Sequence, residues 1–181
     1  MSDNKLVSVI IPTYNRADEI SGAIESVLAQ SYPYVQLIVV DDGSVDHTQE
    51  VVERYANVQY ILIEHAGQAS ARNSGLEKSN GEYVASLDSD DKWEPEKLEN
   101  QLNFLNDNPK FSSCHTGINT FIGDKVISKF NDKPTQLSIE DLLISSHVVP
   151  TSWLIKKSAF EIVKGFDTNI QCSEDHDITI R

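Results

Sequence analysis

A rhythm in the chain constrains its fold most strongly. Four apolar, β-branched-rich runs, "LVSVIIP" (6–12), "VQLIVV" (35–40), "VQYILI" (58–63) and "YVASL" (83–87), alternate with helical patterns. Runs this continuously apolar suit central strands covered on both faces. In the first intervening segment Ile20, Ala23, Ile24, Val27 and Leu28 follow the spacing of one buried helix face. A second helix is expected near Asp46, with Gln49 three residues on in capping-box position. A third runs from Gln68 to Ser79 and stops where Gly81 can take a left-handed cap. A fourth has Pro95 in its first turn and Leu98, Leu102 and Leu105 on one face, ending at Asn108-Pro109. Strand and helix in alternation predict an α/β fold of right-handed βαβ units around a mostly parallel sheet.

The rhythm changes after Lys110. "FSSCHTGINTFIGDKVISKF" reads as short strands with turns near Gly117 and Gly123-Asp124; "LSIEDLLIS" as a short helix; "SWLIKKSAFEIV" as a strand and a helix; "SEDHDITIR" as the opening of another helix. The chain stops inside that last helix, so a piece of a longer protein is expected. Its 181 residues suffice for one domain with a real core. The formal net charge of −13, from 28 acidic against 15 basic residues, argues against a nucleic-acid partner or an anionic-membrane surface. Two cysteines, Cys114 and Cys172, are too few for a disulfide framework and suit a reducing compartment. With neither a signal-peptide pattern nor a membrane-length apolar run, a cytoplasmic domain is expected.

Ligands of open α/β sheets bind beyond the carboxyl ends of the strands. Here those ends carry Pro12, Thr13, Tyr14, Asn15 and Arg16 after the first strand, Asp41, Asp42, Gly43 and Ser44 after the second, and Asp88, Asp90 and Asp91 after the fourth. Such residues also make ordinary turns, but three clusters on one edge point to a site. Asp88, Asp90 and Asp91 repel one another unless a cation or water lies between them. If the backbone stays extended past Leu87, Asp88 and Asp90 share a side and offer a hard oxygen site for Mg²⁺ or Mn²⁺. An EF-hand fails here, because Trp93 holds the glycine position and Pro95 breaks the loop. No glycine-rich phosphate loop, dinucleotide fingerprint, nucleophile elbow or H-E-x-x-H motif is present.

Four stretches, "VSVIIPTYNR", "LIVVDDGSVDHT", "GQASARNSGLEKSNGEYVASLDSDDKW" and "GFDTNIQCSEDHDITIR", together resemble family 2 glycosyltransferases, in that family's motif order. The resemblance implies a GT-A fold, that is, a Rossmann-like, mostly parallel central sheet flanked by helices with a smaller mixed acceptor-side subregion. It implies a nucleotide-sugar-binding half over residues 1–110 and an acceptor-side half over 111–181 of one domain. The implied reaction moves a sugar from a nucleotide-diphosphate sugar, a UDP-sugar by the aspartate that would accept from a ring N–H, to an acceptor hydroxyl with inversion. By the same resemblance Pro12, Tyr14, Asp42, Arg72 and Asp88 would contact the nucleotide. Asp90, with Asp88, would hold Mg²⁺ or Mn²⁺ in a DXD motif, while Asp91 either joins them or orders the turn. Asp175, with Glu174 second, would be the catalytic base; an acidic helix start is the plainer account of both.

The acceptor, whether carbohydrate, lipid-linked or protein, is not readable, and any contact with the inner face of the cell membrane is expected only through regions outside this chain. Donor binding, rather than turnover, is the activity expected of a piece ending at Arg181. A metal-dependent nucleotidyltransferase is the nearest rival, but "PTYNRADE" lacks its basic glycine-rich loop. A phosphate-receiving domain would need an aspartate after the third strand, where "ILIEHAG" stands. An inactive sugar-nucleotide binding module stays open. Trp153 and His115 read as interior or edge residues.

Overall fold

The structure, a computed structural model, describes residues 5–123, 125–130, 136–144, 148–170 and 172–181. Strands β1 (Val7–Thr13), β2 (Val35–Asp41), β3 (Val58–Leu62) and β4 (Tyr83–Ser86) pair in parallel in the order β3-β2-β1-β4. Between them run α1 (Ile20–Leu28), α2 (Thr48–Val52) and α3 (Gln68–Lys78). The second half continues with α4 (Lys97–Asp107), β5 (Ser113–His115), β6 (Ile118–Ile122), β7 (Lys125–Phe130) and α5 (Ile139–Ile144). A 3₁₀ turn at Pro150–Ser152, β8 (Trp153–Lys156), α6 (Lys157–Val163) and α7 (Glu174–Ile180) complete it. Strand β8 inserts antiparallel between β4 and β5 and makes the sheet six-stranded and mixed, while β6 and β7 form a separate hairpin.

Strand alternation builds two cores. Val7, Val9, Ile11, Leu37, Val39, Tyr83 and Ala85 face α1, α2 and α4, whereas Ile10, Ile38, Val40 and Val84 face α3, α6 and α7. That is why these strands read as continuous apolar runs. Strand β3 departs from the expectation of full cover: it is the sheet edge, and its residues are half-buried or exposed. Leu28 is likewise exposed, beyond the stripe of Ile20, Ala23, Ile24 and Val27 that packs on the sheet.

Local signals were met differently in three places. Asp46 accepts from the Thr48 amide and hydroxyl, but Gln49 turns to Glu53 instead of reaching back, so no capping box forms. Gly81 is not left-handed; α3 ends at Ser79 in extended backbone. The glycine is needed for close approach, since a Cβ there would sit 2.6 Å from Ser8 N and 2.8 Å from Leu6 O. Pro95 precedes α4 by a turn rather than opening it. The remaining elements lie where the pattern placed them, while Asp124 and Ser145, included in the expected turn and short helix, lie outside the described residues.

Candidate active site at the split between β1 and β4

Pairing of β1 with β4 stops at Ile10↔Ser86, with a last bond from Leu87 N to Ile10 O, while β1 stays paired to β2 as far as Thr13↔Asp41. Pro12 is buried two residues past Ile10, so its missing N–H falls on the side where β4 has already left. A proline inside a central strand is tolerated there, and it marks the split at the point where strand order reverses.

The loops leaving β1 and β2 clamp one another. Asn15 N donates to Ser44 Oγ and Asn15 Oδ1 accepts from Val45 N, each at 2.8 Å. Arg16 N donates to Thr48 Oγ1, and Ala17 N to Asp46 Oδ2. Asn15 adopts a positive φ of 52° to make this fit. Asp42 then ties in a third loop. Its carboxylate accepts from Ala66 N at 2.8 Å and Gly67 N at 2.9 Å, while His65 Nδ1 bonds the Asp42 carbonyl oxygen at 3.0 Å and lies 2.9 Å from Oδ2, which fixes the entry to α3. The His65 ring stacks on Tyr14, centroids 4.4 Å apart, and Tyr14 keeps a partly exposed face at the rim.

The acidic stretch after β4 does not stay extended. Asp91 N donates to Asp88 O at 3.0 Å, closing a tight turn over Asp88, Ser89, Asp90 and Asp91. The expectation that Asp88 and Asp90 share a strand face therefore fails, and the three carboxylates fan out to three partners. Asp88 Oδ1 meets Arg72, Asp90 Oδ2 lies 3.7 Å from Arg16 Nη2, and Asp91 Oδ2 accepts from Thr151 Oγ1 at 2.6 Å. Burial pushes the Asp88 carboxyl up against the opposing pull of Arg72, and burial likewise raises Asp91. Among the described residues no group of three or more His, Cys, Asp or Glu side chains converges as a cation cage.

Arg72 is not a surface helix residue. It is 2% exposed; its Nη2 donates to Asp88 Oδ1 at 2.8 Å and its Nη1 to Glu174 Oε1 at 2.7 Å. The Phe166 ring lies under the guanidinium, 5.6 Å to its centroid. With its amide turned so that nitrogen faces Glu174, Gln68 donates to that carboxylate and accepts from Arg72. One buried cation thus brings the turn after β4 and the start of α7 together. Asp175, next to Glu174, has no ion pair among the described residues; its carboxylate accepts from the His176 amide at 2.9 Å. His176 is structural, with Nε2 bonded to Leu142 O across to α5. The structure thus joins Asp88 to Glu174, and holds Asp42 and Tyr14 together on the neighbouring loops.

Thr151, Gln68, His65 and Lys97 had no sequence signal that marked them. Lys97, first in α4, is buried; its Nζ donates to Gln101 Oε1 at 2.7 Å and lies 3.9 Å from the Trp93 ring centroid. Burial pushes its pKa down to about 7, against an opposing pull from Cys114. Trp153 is core, as read.

The model of the family described as "Glycosyl transferase family 2" matches residues 8–163. TuaG of Bacillus subtilis (strain 168), provisionally assigned as a teichuronic acid biosynthesis glycosyltransferase, is 42% identical over 147 residues, covering 76% of this chain and 57% of TuaG. An uncharacterised glycosyltransferase of Rickettsia prowazekii (strain Madrid E) is 36% identical over 183 residues, covering 96% of this chain and 57% of its own. Among solved structures, S. aureus TarS 1-349 in complex with UDP superposes with a TM-score of 0.81 at 24% identity, over 96% of this chain and 54% of that one. The chain thus spans a little over half the length of these two relatives, TuaG and the Rickettsia glycosyltransferase. Its mixed sheet, mostly parallel and flanked by helices, is of the GT-A kind that TarS shares. The chain belongs to glycosyl transferase family 2.

Proposed function

We propose that this chain binds a nucleotide-diphosphate sugar across the carboxyl ends of β1, β2 and β4 and, within a longer protein, transfers the sugar with inversion to an acceptor hydroxyl. The observation that carries this reading is the guanidinium of Arg72, which holds Asp88 of the "DSD" turn and Glu174 of the "SED" helix start on one cation. Two acidic motifs far apart in sequence thereby become one site. Residues 1–110 would hold the donor, with Tyr14 offering its ring to the base and Asp42 its edge-accepting carboxylate. Residues 111–181 would face the acceptor. A uracil donor is supported by the UDP bound in TarS, and by WfaP of Escherichia coli, a UDP-Glc-dependent β-1,3-glucosyltransferase acting on α-D-GlcNAc-diphosphoundecaprenol. WfaP is 38% identical over 112 residues, 60% of this chain and 45% of WfaP.

Asp175 suits the base better than Glu174 does. Glu174 is paired with Arg72 and takes a hydrogen bond from Gln68, whereas Asp175 has no ion pair among the described residues. In the transfer the acceptor oxygen attacks the anomeric carbon from the side opposite the diphosphate. Its proton passes to Asp175, and the bond to the nucleoside diphosphate breaks with the electron pair leaving on phosphate oxygen. Mg²⁺ and Mn²⁺ are held by one or two carboxylates together with water and substrate phosphates, so no all-protein cage is required. Exposed Asp90 and the second oxygen of Asp88 fit that donor set, and the structure of the mannosyltransferase PcManGT from Pyrobaculum calidifontis contains GDP-Man and Mn²⁺. Such an ion would stabilise the charge gathering on the departing diphosphate.

Calorimetric titration of UDP, dTDP and GDP, each with and without Mn²⁺, tests the reading. UDP should bind best and depend on the metal, and Asp90→Ala should remove that dependence while the fold is retained. Metal-independent binding, or equal binding by folded Asp90→Ala, would remove the metal assignment; no binding of any of the three would remove the donor site.

A further inference from the structure

The acidic turn from Asp88 to Asp91 is closed twice. Its own backbone makes one closure, Asp91 N to Asp88 O at 3.0 Å. Thr151 makes the other, from a segment 60 residues beyond Asp91. A threonine hydroxyl has one proton to give and lone pairs to accept with. Here the proton goes to Asp91 Oδ2 at 2.6 Å, and a lone pair accepts from the Asp88 amide at 3.3 Å. One oxygen therefore joins the first residue of the turn to the last, and both of its hydrogen bonds end in that turn.

That oxygen is mounted from behind. Thr151 O accepts from Trp93 Nε1 at 2.8 Å, Ser152 O from Gln101 Nε2 at 3.1 Å, and Trp153 O from Lys97 Nζ at 3.3 Å. Successive carbonyls of residues 151–153 are thus fastened to α4 and to the loop leading into it. Thr116 N adds a further bond to Ser152 O from the end of β5. Thr151, Trp93, Lys97 and Gln101 are all buried, and hydrogen bonds out of water hold their geometry well.

The consequence falls on the neighbouring carboxylates. Thr151 takes up the Asp91 carboxylate and Arg72 takes up Asp88 Oδ1. Asp90, whose contact with Arg16 is long at 3.7 Å, and the second oxygen of Asp88 are left to face a cation. We infer that Thr151 is a positioning residue of the donor site. Acting through Asp91 and the Asp88 amide, its hydroxyl sets the turn in the shape that offers Asp88 and Asp90 to a metal-bound diphosphate, and Asp91 serves the turn rather than the metal. This role rests on the donor site proposed above. It also makes residues 150–153, which lie in the half assigned to the acceptor, part of the donor machinery.

Thr151→Val keeps the shape of the side chain and removes its hydroxyl, whereas Thr151→Ser keeps the hydroxyl. In calorimetric titrations, Thr151→Val should weaken UDP binding in Mn²⁺ about tenfold and binding without Mn²⁺ by less than about twofold. Thr151→Ser should return to within about threefold of the parent. In the chain with nothing bound, hydrogen exchange at the Asp88 amide, read by ¹⁵N NMR, should quicken about tenfold in Thr151→Val. The Trp93 indole N–H should stay put, because its acceptor is main chain. Asp91→Ala cuts the same link from its other end, so it should quicken the Asp88 amide too, and adding Thr151→Val to it should weaken UDP binding by no more than about twofold further. Parent-like binding by folded Thr151→Val, equal weakening with and without Mn²⁺, or strictly additive effects would each overturn the positioning role. If Thr151→Val does not fold, an Asp88 amide that exchanges at the parent rate in Asp91→Ala overturns it. A parent chain that binds no UDP, or binds it regardless of Mn²⁺, overturns the role together with the donor reading, and does so before any substitution is made.

Discussion

Replacing Arg72 by methionine keeps much of the side chain's reach and removes its charge, so it isolates what the guanidinium does. Arg72 is 2% exposed, and the side chains it joins, Glu174 and Asp88, are 12% and 30% exposed. Removing one partner of a buried ion pair costs about 3–5 kcal/mol, chiefly through the charge left behind. Glu174 is buried enough to count nearly in full; Asp88, close to one-third exposed, recovers part of its solvation. The expected loss is about 3 kcal/mol, or roughly 1 M in urea midpoint at a slope near 3 kcal/mol/M. Two further variants sharpen the reasoning. Arg72→Met with Glu174→Gln should recover at least ~1 kcal/mol, because the orphaned charge has gone. Arg72→Lys should fall between parent and methionine variant, since an ammonium cannot fork to two carboxylates. Equilibrium urea unfolding followed by tryptophan fluorescence supplies the numbers, and added salt should change the parent little because the pairs are screened poorly. A loss below about 1 kcal/mol, or strict additivity in the double variant, would show that Arg72 does not bind the two motifs into one unit.

Lys97 makes stability depend on pH. Its folded pKa of about 7 lies below the ordinary 10.5, so the unfolded chain binds more protons between those values and stability rises with pH there. From pH 7 to 9 the gain should be about 2 kcal/mol, absent in Lys97→Met, and a flat parent profile would contradict it. Above pH 9, Cys114, raised to about 11 by burial, works the other way and blunts the rise. Gly81→Ala should cost about 2–3 kcal/mol by urea unfolding, because its Cβ meets backbone of Leu6, Ser8 and Tyr83 that cannot yield; a change under about 0.5 kcal/mol would mean the loop shifts freely. Asp175→Asn in a longer protein carrying this domain should leave UDP affinity within about twofold and lower transfer by at least ~100-fold. Near-parent transfer rates would move the base elsewhere.

How much of this was legible depends on the range of the interactions concerned. Strand and helix order is a local property, carried by apolar runs and the 3.6-residue stripe of Ile20, Ala23, Ile24 and Val27, and it emerges as read. The strand-end clusters were legible too, because in a parallel sheet every carboxyl end lies on one edge. What each cluster does locally was less so. Asn15, Asp46 and Asp42 spend hydrogen bonds on loops 24 to 30 residues away, a use that looks the same in sequence as a turn or a cap. Gly81 read as a left-handed terminator because glycine serves both positive φ and close approach, and only the neighbouring backbone distinguishes them.

By itself, then, the sequence determined the α/β class, the order of the elements, most of the packing face of α1 and that of α4, and the motifs of a family 2 member. The tertiary structure alone decided that β3 is an edge, that β8 enters the sheet antiparallel beside β4, and that the acidic run turns instead of extending. It also decided the partners of Arg72, 16 and 102 residues away. The physical reason is common to all of these. Periodicity is set by neighbours one turn or one pleat distant, whereas pairing a buried charge or closing a sheet edge depends on whichever segments folding delivers to the same place.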